Sequence, residues 1–216
     1  MKCVSFVSSL CLLSIASLLA AQSAPPGEGN HTFNHGEFGA YGDLFRVAPS
    51  GAPAQNYLGL GGRVGFNTGA HVALEAEMNY DFERNYTSTT TSGSTTTTTS
   101  TTVTSSVRPI TGLFGPKFQF GTSGPFRAFV EAKAGFIDFT TGCKAPAGSP
   151  GCFTTSLSAF GGSSTHFAAF PGGGIESFWG PLGIRVEAGD ELWYNGNNGG
   201  NLSNNLRVTF APTFRF

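Results

Sequence analysis

The stretch Leu206-Arg207-Val208-Thr209-Phe210-Ala211-Pro212-Thr213-Phe214-Arg215-Phe216 alternates between apolar side chains and polar or small ones. Successive side chains of a β-strand point to opposite faces, so one face is fully apolar and the other carries two arginines. A half-buried strand of a soluble protein can show the same alternation. The last residues of a soluble domain are usually polar and frayed, whereas this stretch ends on an aromatic residue. The pattern therefore favours a barrel wall with an apolar outer face in a membrane and a polar inner face.

Seven further segments repeat this alternation over roughly ten residues each, the length that crosses a bilayer at a tilt of about 45°. The clearest is the third, in which Val72 to Phe82 supply an apolar face and Glu75 to Glu83 an acidic one. The sequence predicts an all-β fold, an eight-stranded antiparallel up-and-down transmembrane β-barrel. The predicted strands cover residues 37–46, 57–66, 71–83, 109–120, 126–137, 165–177, 182–194 and 206–216.

The connections between these strands alternate in length. Long loops are expected at about 47–56, 85–108, 138–164 and 195–205, and tight turns lie between them at 67–70, 121–125 and 178–181. Barrels of the outer membrane have long extracellular loops and short periplasmic turns. A soluble up-and-down barrel of the lipocalin type, which would bind an apolar ligand inside, has no reason to alternate its connections.

The terminal aromatic strand and the alternating connections resemble the bacterial outer-membrane β-barrel family, in particular its small OmpA/OmpX-type eight-stranded barrels. The resemblance covers residues 37–216 and implies a location in the bacterial outer membrane, in contact with its lipids. It also implies that the outer-membrane insertion machinery reads the last strand. Phe210, Phe214 and Phe216 match that insertion signal, and Val208 matches as well.

Composition agrees with an apolar outside and a small or polar inside. Charged residues make up 12% of the 216-residue chain, about half the usual share, while there are 31 glycines and 21 phenylalanines. The formal net charge of −1 offers no field that would attract nucleic acid. The inward charges are expected to pair as a plug. This predicted lumen charge network comprises Arg63, Glu75, Glu77, Lys117, Arg127, Glu131, Lys133, Glu176, Arg185, Glu187, Arg207 and Arg215.

The first 23 residues have the features of a secretory signal peptide. Lys2 supplies the positive charge, residues 10–21 form an apolar run, and Ala21-Gln22-Ser23 is a small-x-small cleavage site. The apolar run is too short to span a bilayer of about 30 Å as a helix. The mature chain would begin near Ala24, and residues 24–36 are expected to form a flexible lead-in.

Two segments stand out among the expected loops. Residues 87–106 are almost entirely Thr and Ser and predict a mobile loop or a hairpin extension beyond the membrane. Cys143 and Cys152 remain after removal of the signal peptide and are expected to form a disulfide in an oxidising compartment. A metal or redox role for the two cysteines lacks neighbouring His or acidic residues.

Aromatic residues at the strand ends are expected to form interfacial girdles. One girdle would hold Tyr80, Phe82, Trp193 and Tyr194, and the other Phe120, Phe126, Phe178 and Trp179.

The sequence predicts no enzyme. His166 is followed by no Ser at strand spacing, although Ser163 and Ser164 precede it, and no cofactor-binding or metal-ligand motif is present. The function expected is a structural or surface-interaction role through the extracellular loops, with a surface ligand that the sequence does not identify. A narrow pore of low conductance is the first alternative and a soluble barrel that binds an apolar ligand is the second.

Overall fold

The computed structural model describes residues 35–48, 54–94, 97–121, 126–144, 165–195 and 201–216. No helix in these ranges is long and apolar enough to cross a membrane. The predicted signal peptide and lead-in, the bond between Cys143 and Cys152, and most of the loop at 138–164 fall outside the described residues or side chains, and they stay predictions.

Nine strand segments make up the described fold, and their bounds follow the predicted alternation closely. They are β1 (Gly36–Val47), β2 (Gln55–Asn67), β3 (Val72–Asp81), β4 (Arg84–Ser94), β5 (Thr97–Phe120), β6 (Phe126–Lys144), β7 (Thr165–Trp179), β8 (Leu182–Asn195) and β9 (Asn201–Arg215). Phe82 and Glu83 interrupt one continuous course and divide it into β3 and β4.

The strands close into an eight-stranded antiparallel barrel, which confirms the predicted fold class. Each strand pairs with its neighbour along the chain except that β3 pairs with β5 and not with β4, and β1 pairs with β9 to complete the ring. The amides of His35 and Gly36 both donate to the carbonyl of Phe216 at 2.9 Å, so the first and last residues of the barrel are joined. Closure leaves no free sheet edge within the barrel wall.

Apolar side chains cover the outside of the barrel. Leu60, Met78, Phe114, Val130 and Phe210 all point outward and are about half exposed. Alternate residues on the same strands are buried and mostly polar or charged. This arrangement is the reverse of a soluble barrel, in which the apolar residues would face inward.

Two of the predicted girdle residues are placed differently by the structure. Tyr80, Phe82 and Tyr194 lie outside at the loop end, and Phe120, Phe126 and Trp179 lie outside at the turn end. Trp193 is 1% exposed and points into the lumen. Phe178 also points inward, where its ring contacts Arg215. The girdle prediction is wrong for these two residues. Trp193 lies two positions after Glu191 and Phe178 lies two positions after Glu176, so each ring points to the same inner face as that glutamate.

Four prolines lie inside strands, at places where the ladder is already open. The β5–β6 pairing is interrupted at Pro116, the β7–β8 pairing at Pro171 and the β1–β9 pairing at Pro212. Pro109 lies on β5 between the β3 pairing and the β4 pairing. Proline has no amide hydrogen to donate, so each is tolerated where no ladder bond is required.

The loop boundaries differ from the prediction in three places. Residues 84–107 form a regular hairpin of β4 and β5, which confirms the hairpin extension and excludes an irregular loop for its described part. β6 continues to Lys144. Its residues 139–144 pair with β5, from Phe139↔Pro109 to Lys144↔Thr104. β9 begins at Asn201, which shortens the loop predicted at 195–205. The described turns between β2 and β3 and between β7 and β8 lie where they were predicted, and Gly121 and Gly180 adopt positive φ.

We predict that Val130→Arg will destabilise the barrel in lipid vesicles by roughly 2–4 kcal/mol, because the cation would lie near the bilayer midplane. Leu182→Arg is the control, since Leu182 also points outward but begins β8 at the turn end. It should cost about 1 kcal/mol or less. Urea titration of vesicle-inserted protein measures both values, and equal costs for the two variants would contradict a lipid-facing belt.

Candidate functional site

The buried charged side chains of the described residues lie in the lumen. Its side chains come from alternate residues on all strands of the ring, and they divide into three layers from the turn end to the loop end. The first is a large ion-pair cluster, the second is a smaller acidic pocket around Arg207, and the third is an aromatic cluster.

Arg185 stands at the centre of the large cluster and is buried. Its Nη1 lies 2.6 Å from Glu75 Oε1, and its Nη2 lies 2.5 Å from Glu131 Oε2 and 2.9 Å from Glu187 Oε2. Arg185 is on β8 and Glu75 is on β3, which lie on opposite sides of the eight-membered ring. This ion pair therefore crosses the full width of the lumen.

Three further cations complete the cluster. Arg63 Nη2 lies 2.7 Å from both Glu77 Oε2 and Glu187 Oε2. Lys133 Nζ lies 2.8 Å from Glu77 Oε2 and 2.9 Å from Glu131 Oε1, and Lys117 Nζ lies 2.8 Å from Glu75 Oε1. Since the carboxylates are shared between cations from different strands, the cluster is one network across the barrel.

At the turn end, Glu37 of β1 and Arg215 of β9 join the cluster. Lys117 also pairs with Glu37, and its Nζ lies 3.3 Å from Glu176 Oε2. Arg215 Nη2 lies 3.5 Å from Glu176 Oε1 and 3.7 Å from Glu37 Oε2. A cavity of about 10 Å³ lies beside Glu37, Arg63 and Arg185, which is room for about one water molecule.

The second layer surrounds Arg207. Its Nη1 lies 2.7 Å from Glu191 Oε2, and its Nη2 donates to Thr111 Oγ1 at 3.0 Å. The Thr111 hydroxyl donates to Glu191 Oε1 at 3.1 Å. Asp43 Oδ2 lies 3.5 Å from Arg207 Nε, and Asp81 Oδ2 lies 4.0 Å from Nη2.

The third layer is apolar, which the sequence did not predict. Trp193 packs against Phe139 with ring centroids 5.2 Å apart and against Phe45 at 6.3 Å, and Phe45 contacts Tyr57 at 6.5 Å. Ile137, Phe170 and Val107 belong to the same buried cluster. The expectation of an entirely small or polar interior is therefore wrong at the loop end, where these rings close the lumen.

Glycines leave room for the large side chains of the lumen. Gly61 faces Tyr41, and any side chain at residue 61 would overlap the Tyr41 ring. Gly172 and Gly189 do the same for the ring of Phe170. Glycine at these positions thus allows large side chains from neighbouring strands to fill the interior.

Eleven of the twelve residues named for the lumen charge network take part in the ion pairs described above. Arg127 lies apart from them at the turn end, where its Nη1 donates to Gln119 Oε1 at 3.2 Å. Glu37, Asp43, Asp81 and Glu191 also form ion pairs in the lumen, although the predicted network did not include them. All four have the inward parity of their strands, so strict counting would have found them.

The remaining predicted sites are placed as follows. Phe210, Phe214 and Phe216 point outward on or beside β9. The ring of His166 lies 6.2 Å from that of Phe139 near the loop end. Within the described ranges, no three or more His, Cys, Asp and Glu side chains are grouped as ligands of a metal ion.

The chain matches no family model, and no curated protein matches its sequence. Solved structures with a similar course of the chain include Ail, the attachment invasion locus protein of Yersinia pestis, at 10% identity and a TM-score of 0.49, covering 85% of this chain and 99% of that one. Neisserial surface protein A has 10% identity and a TM-score of 0.48, with 84% and 97% covered. The N-terminal barrel domain of OprF from Pseudomonas aeruginosa has 14% identity and a TM-score of 0.41, with 86% and 100% covered.

We predict that Arg185→Met will destabilise the barrel by about 3–5 kcal/mol, because it leaves buried carboxylates without their shared cation. Arg127→Met is the matched control, since Arg127 is only half-buried and lies outside the ion-pair cluster. Its cost should stay within about 1 kcal/mol. Unfolding in urea, followed by loss of heat-modifiable gel mobility, measures both variants. Equal stability of the two would mean that the lumen pairs do not hold the strands together.

Proposed function

We propose that the protein is an integral outer-membrane β-barrel with a filled lumen, and that its role is structural or one of surface interaction through its extracellular loops. The observation that carries this proposal is the inverted distribution of side chains. Ionic groups meet along the barrel axis, while Leu60, Val64, Phe114 and Phe210 point outward. A closed barrel with an apolar exterior satisfies its backbone within hydrocarbon, where an open sheet could not.

The same distribution argues against a soluble barrel with an apolar ligand inside. Such a protein needs an apolar interior and a polar exterior. Here fifteen Asp, Glu, Lys and Arg residues of the described chain are buried, from Glu37 to Arg215. Ions buried in pairs are stable inside the barrel, but an apolar ligand would find no continuous apolar cavity below the aromatic cluster.

The hairpin of β4 and β5 is the strongest candidate for the surface role. It pairs over eleven rungs, from Arg84↔Val107 to Ser94↔Thr97, which at about 3.3 Å per residue extends it by roughly 35 Å. Tyr80 and Phe82, which lie on the outside at its base, suit the boundary of the membrane. A rigid ladder of this length would hold the Thr/Ser-rich segment well away from the lipid. Binding residues are commonly found on such loops of a rigid scaffold.

A narrow pore is the second candidate function, but the side chains in the lumen obstruct an ion path. The Arg185–Glu75 pair crosses the lumen, and the ring of Trp193 closes its loop end together with Phe45 and Phe139. Barrels of eight strands are just wide enough for their side chains to fill. An ion path would require these pairs and rings to move aside.

The outward–inward distribution can be tested with the two tryptophans, which are the only ones in the chain. Trp179 is 60% exposed on the outside, whereas Trp193 is buried inside. We predict that brominated phospholipids will quench the fluorescence of Trp193→Phe, which keeps Trp179. They should leave the emission of Trp179→Phe nearly unchanged, because its remaining Trp193 is shielded by the barrel wall. Quenching of Trp193 alone would overturn the membrane assignment.

The surface role can be tested by shortening the hairpin. The register allows removal of residues 88–103 and connection of Thr87 to Thr104, which are paired, by an Asn-Gly turn. We predict that this variant inserts with normal heat-modifiable mobility, while producing cells lose autoaggregation or retention on surfaces that the wild type confers. Planar-bilayer recordings of both proteins should be silent. Adhesion that is unchanged by the deletion, or conductance steps in both proteins, would favour the structural role or the pore respectively.

A further inference from the structure

The acidic pocket in the second layer carries more negative charge than its surroundings neutralise. Asp43, Asp81 and Glu191 are 5%, 0% and 0% exposed. Arg207 is the one cationic group of the described chain within ion-pair distance of any of them. Three carboxylates facing one guanidinium leave a formal charge of −2. Uncompensated charge of this size is very costly inside a barrel that excludes water.

Asn79 and Arg207 engage only one oxygen of each aspartate. The Nδ2 of Asn79 donates to Asp43 Oδ2 and to Asp81 Oδ2, both at 3.1 Å. Arg207 approaches the same two Oδ2 atoms. The Oδ1 atoms of Asp43 and Asp81 are buried and have no hydrogen-bond partner. Both carboxylates are therefore held in place on one side and left unsatisfied on the other.

The two unsatisfied oxygens converge on the gap where Gly59 has no side chain, and they occupy it. Gly59 lies between the aspartates in the same cross-strand row, paired with Asp43 on β1 and with Asp81 on β3. A methyl group on Gly59 would overlap Asp43 Oδ1, and it would lie 2.7 Å from Asp81 Oδ1 and 3.0 Å from the carbonyl oxygen of Tyr80. Three oxygen atoms thus surround one point where this strand has no side chain.

We propose that Asp43 and Asp81, with the gap at Gly59 between them, form a binding site for a hard divalent cation of the Ca²⁺ type. Such cations take carboxylate and carbonyl oxygens as ligands, and their charge would bring the pocket to neutrality. The cation would lie on the lumen side of the gap, and water would complete its coordination. The site would use two carboxylates and one backbone carbonyl, so it needs fewer than three ligating side chains.

The position of the site gives the cation a structural role. It would link β1 to β3 across Gly59 of β2, directly below the aromatic cluster. Phe45, two residues beyond Asp43, lies over Arg207 and belongs to that cluster. Because the rings close the loop end, the cation would enter during folding and exchange slowly afterwards.

The test uses the mature protein, unfolded in urea with EDTA, freed of EDTA by dialysis in urea, and then refolded in detergent micelles with CaCl2, MgCl2 or KCl at matched ionic strength. We expect CaCl2 present during refolding to raise the thermal midpoint of unfolding, and we expect one Ca²⁺ per chain to remain after gel filtration, as measured by atomic emission. Asp43→Asn and Asp81→Asn should each weaken retention by about tenfold or more, because each removes a charged ligand. Gly59→Ala should do so because its methyl group would push both Oδ1 atoms out of the gap.

Two controls separate ligation from general electrostatics and from loss of folding. Glu191→Gln removes one charge from the same pocket but leaves both Oδ1 atoms in place, so it should retain Ca²⁺ clearly better than Asp81→Asn. Heat-modifiable mobility must show that every variant is folded. The proposal is overturned if the folded wild type retains no divalent cation. It is also overturned if Asp43→Asn and Asp81→Asn retain as much Ca²⁺ as the wild type, or if Glu191→Gln loses as much as Asp81→Asn. A rise in stability of Asp81→Asn without any cation retention would indicate a proton shared by the two aspartates instead.

Discussion

The constraint on which the rest of the structure depends is the pairing of ionic side chains along a closed barrel axis. Closure satisfies the backbone hydrogen bonds in the wall, and the outer face is apolar, so the charges of the strands have only the interior in which to meet. Arg185, Lys133, Lys117 and Arg63 share their carboxylates with one another across strands that are far apart in sequence. Their pairing therefore couples opposite walls of the barrel.

Buried ion pairs of this kind are weak evidence for stability, because desolvation offsets much of their attraction. Their stronger consequence here is geometric. A shift of one residue in any strand would turn its charges outward to the apolar side and leave the partners unpaired. The network thus disfavours alternative registers, and the aromatic cluster around Trp193 adds the same preference at the loop end.

A filled interior also places any variable function outside the lumen. The described hairpin of β4 and β5 continues the barrel wall beyond its aromatic boundary as a regular ladder. In the row of Asp43, Gly59 and Asp81, two buried carboxylates each keep one oxygen without a hydrogen-bond partner. Surface interaction and cation binding would then use separate parts of one rigid scaffold.

The sequence by itself determined the strands and the face on which each side chain lies. Alternation is a local property, so the directions of Leu74, Val130, Glu77 and Arg207 could be predicted by counting. The same counting would have placed Trp193 and Phe178 inside, where a search for aromatic girdles placed them outside. Asp43 and Asp81 have the same inward parity, although the predicted charge network left them out.

Only the tertiary structure decided which inward residues meet. The level of each residue along the axis depends on the stagger between strands, and barrel closure sets that stagger for all strands together. No local pattern could show that Arg185 reaches Glu75 across the lumen, or that Arg127 lies apart from the cluster. The approach of Asp43 and Asp81 to Gly59 likewise depends on the register of β1, β2 and β3, which sets the three residues in one cross-strand row.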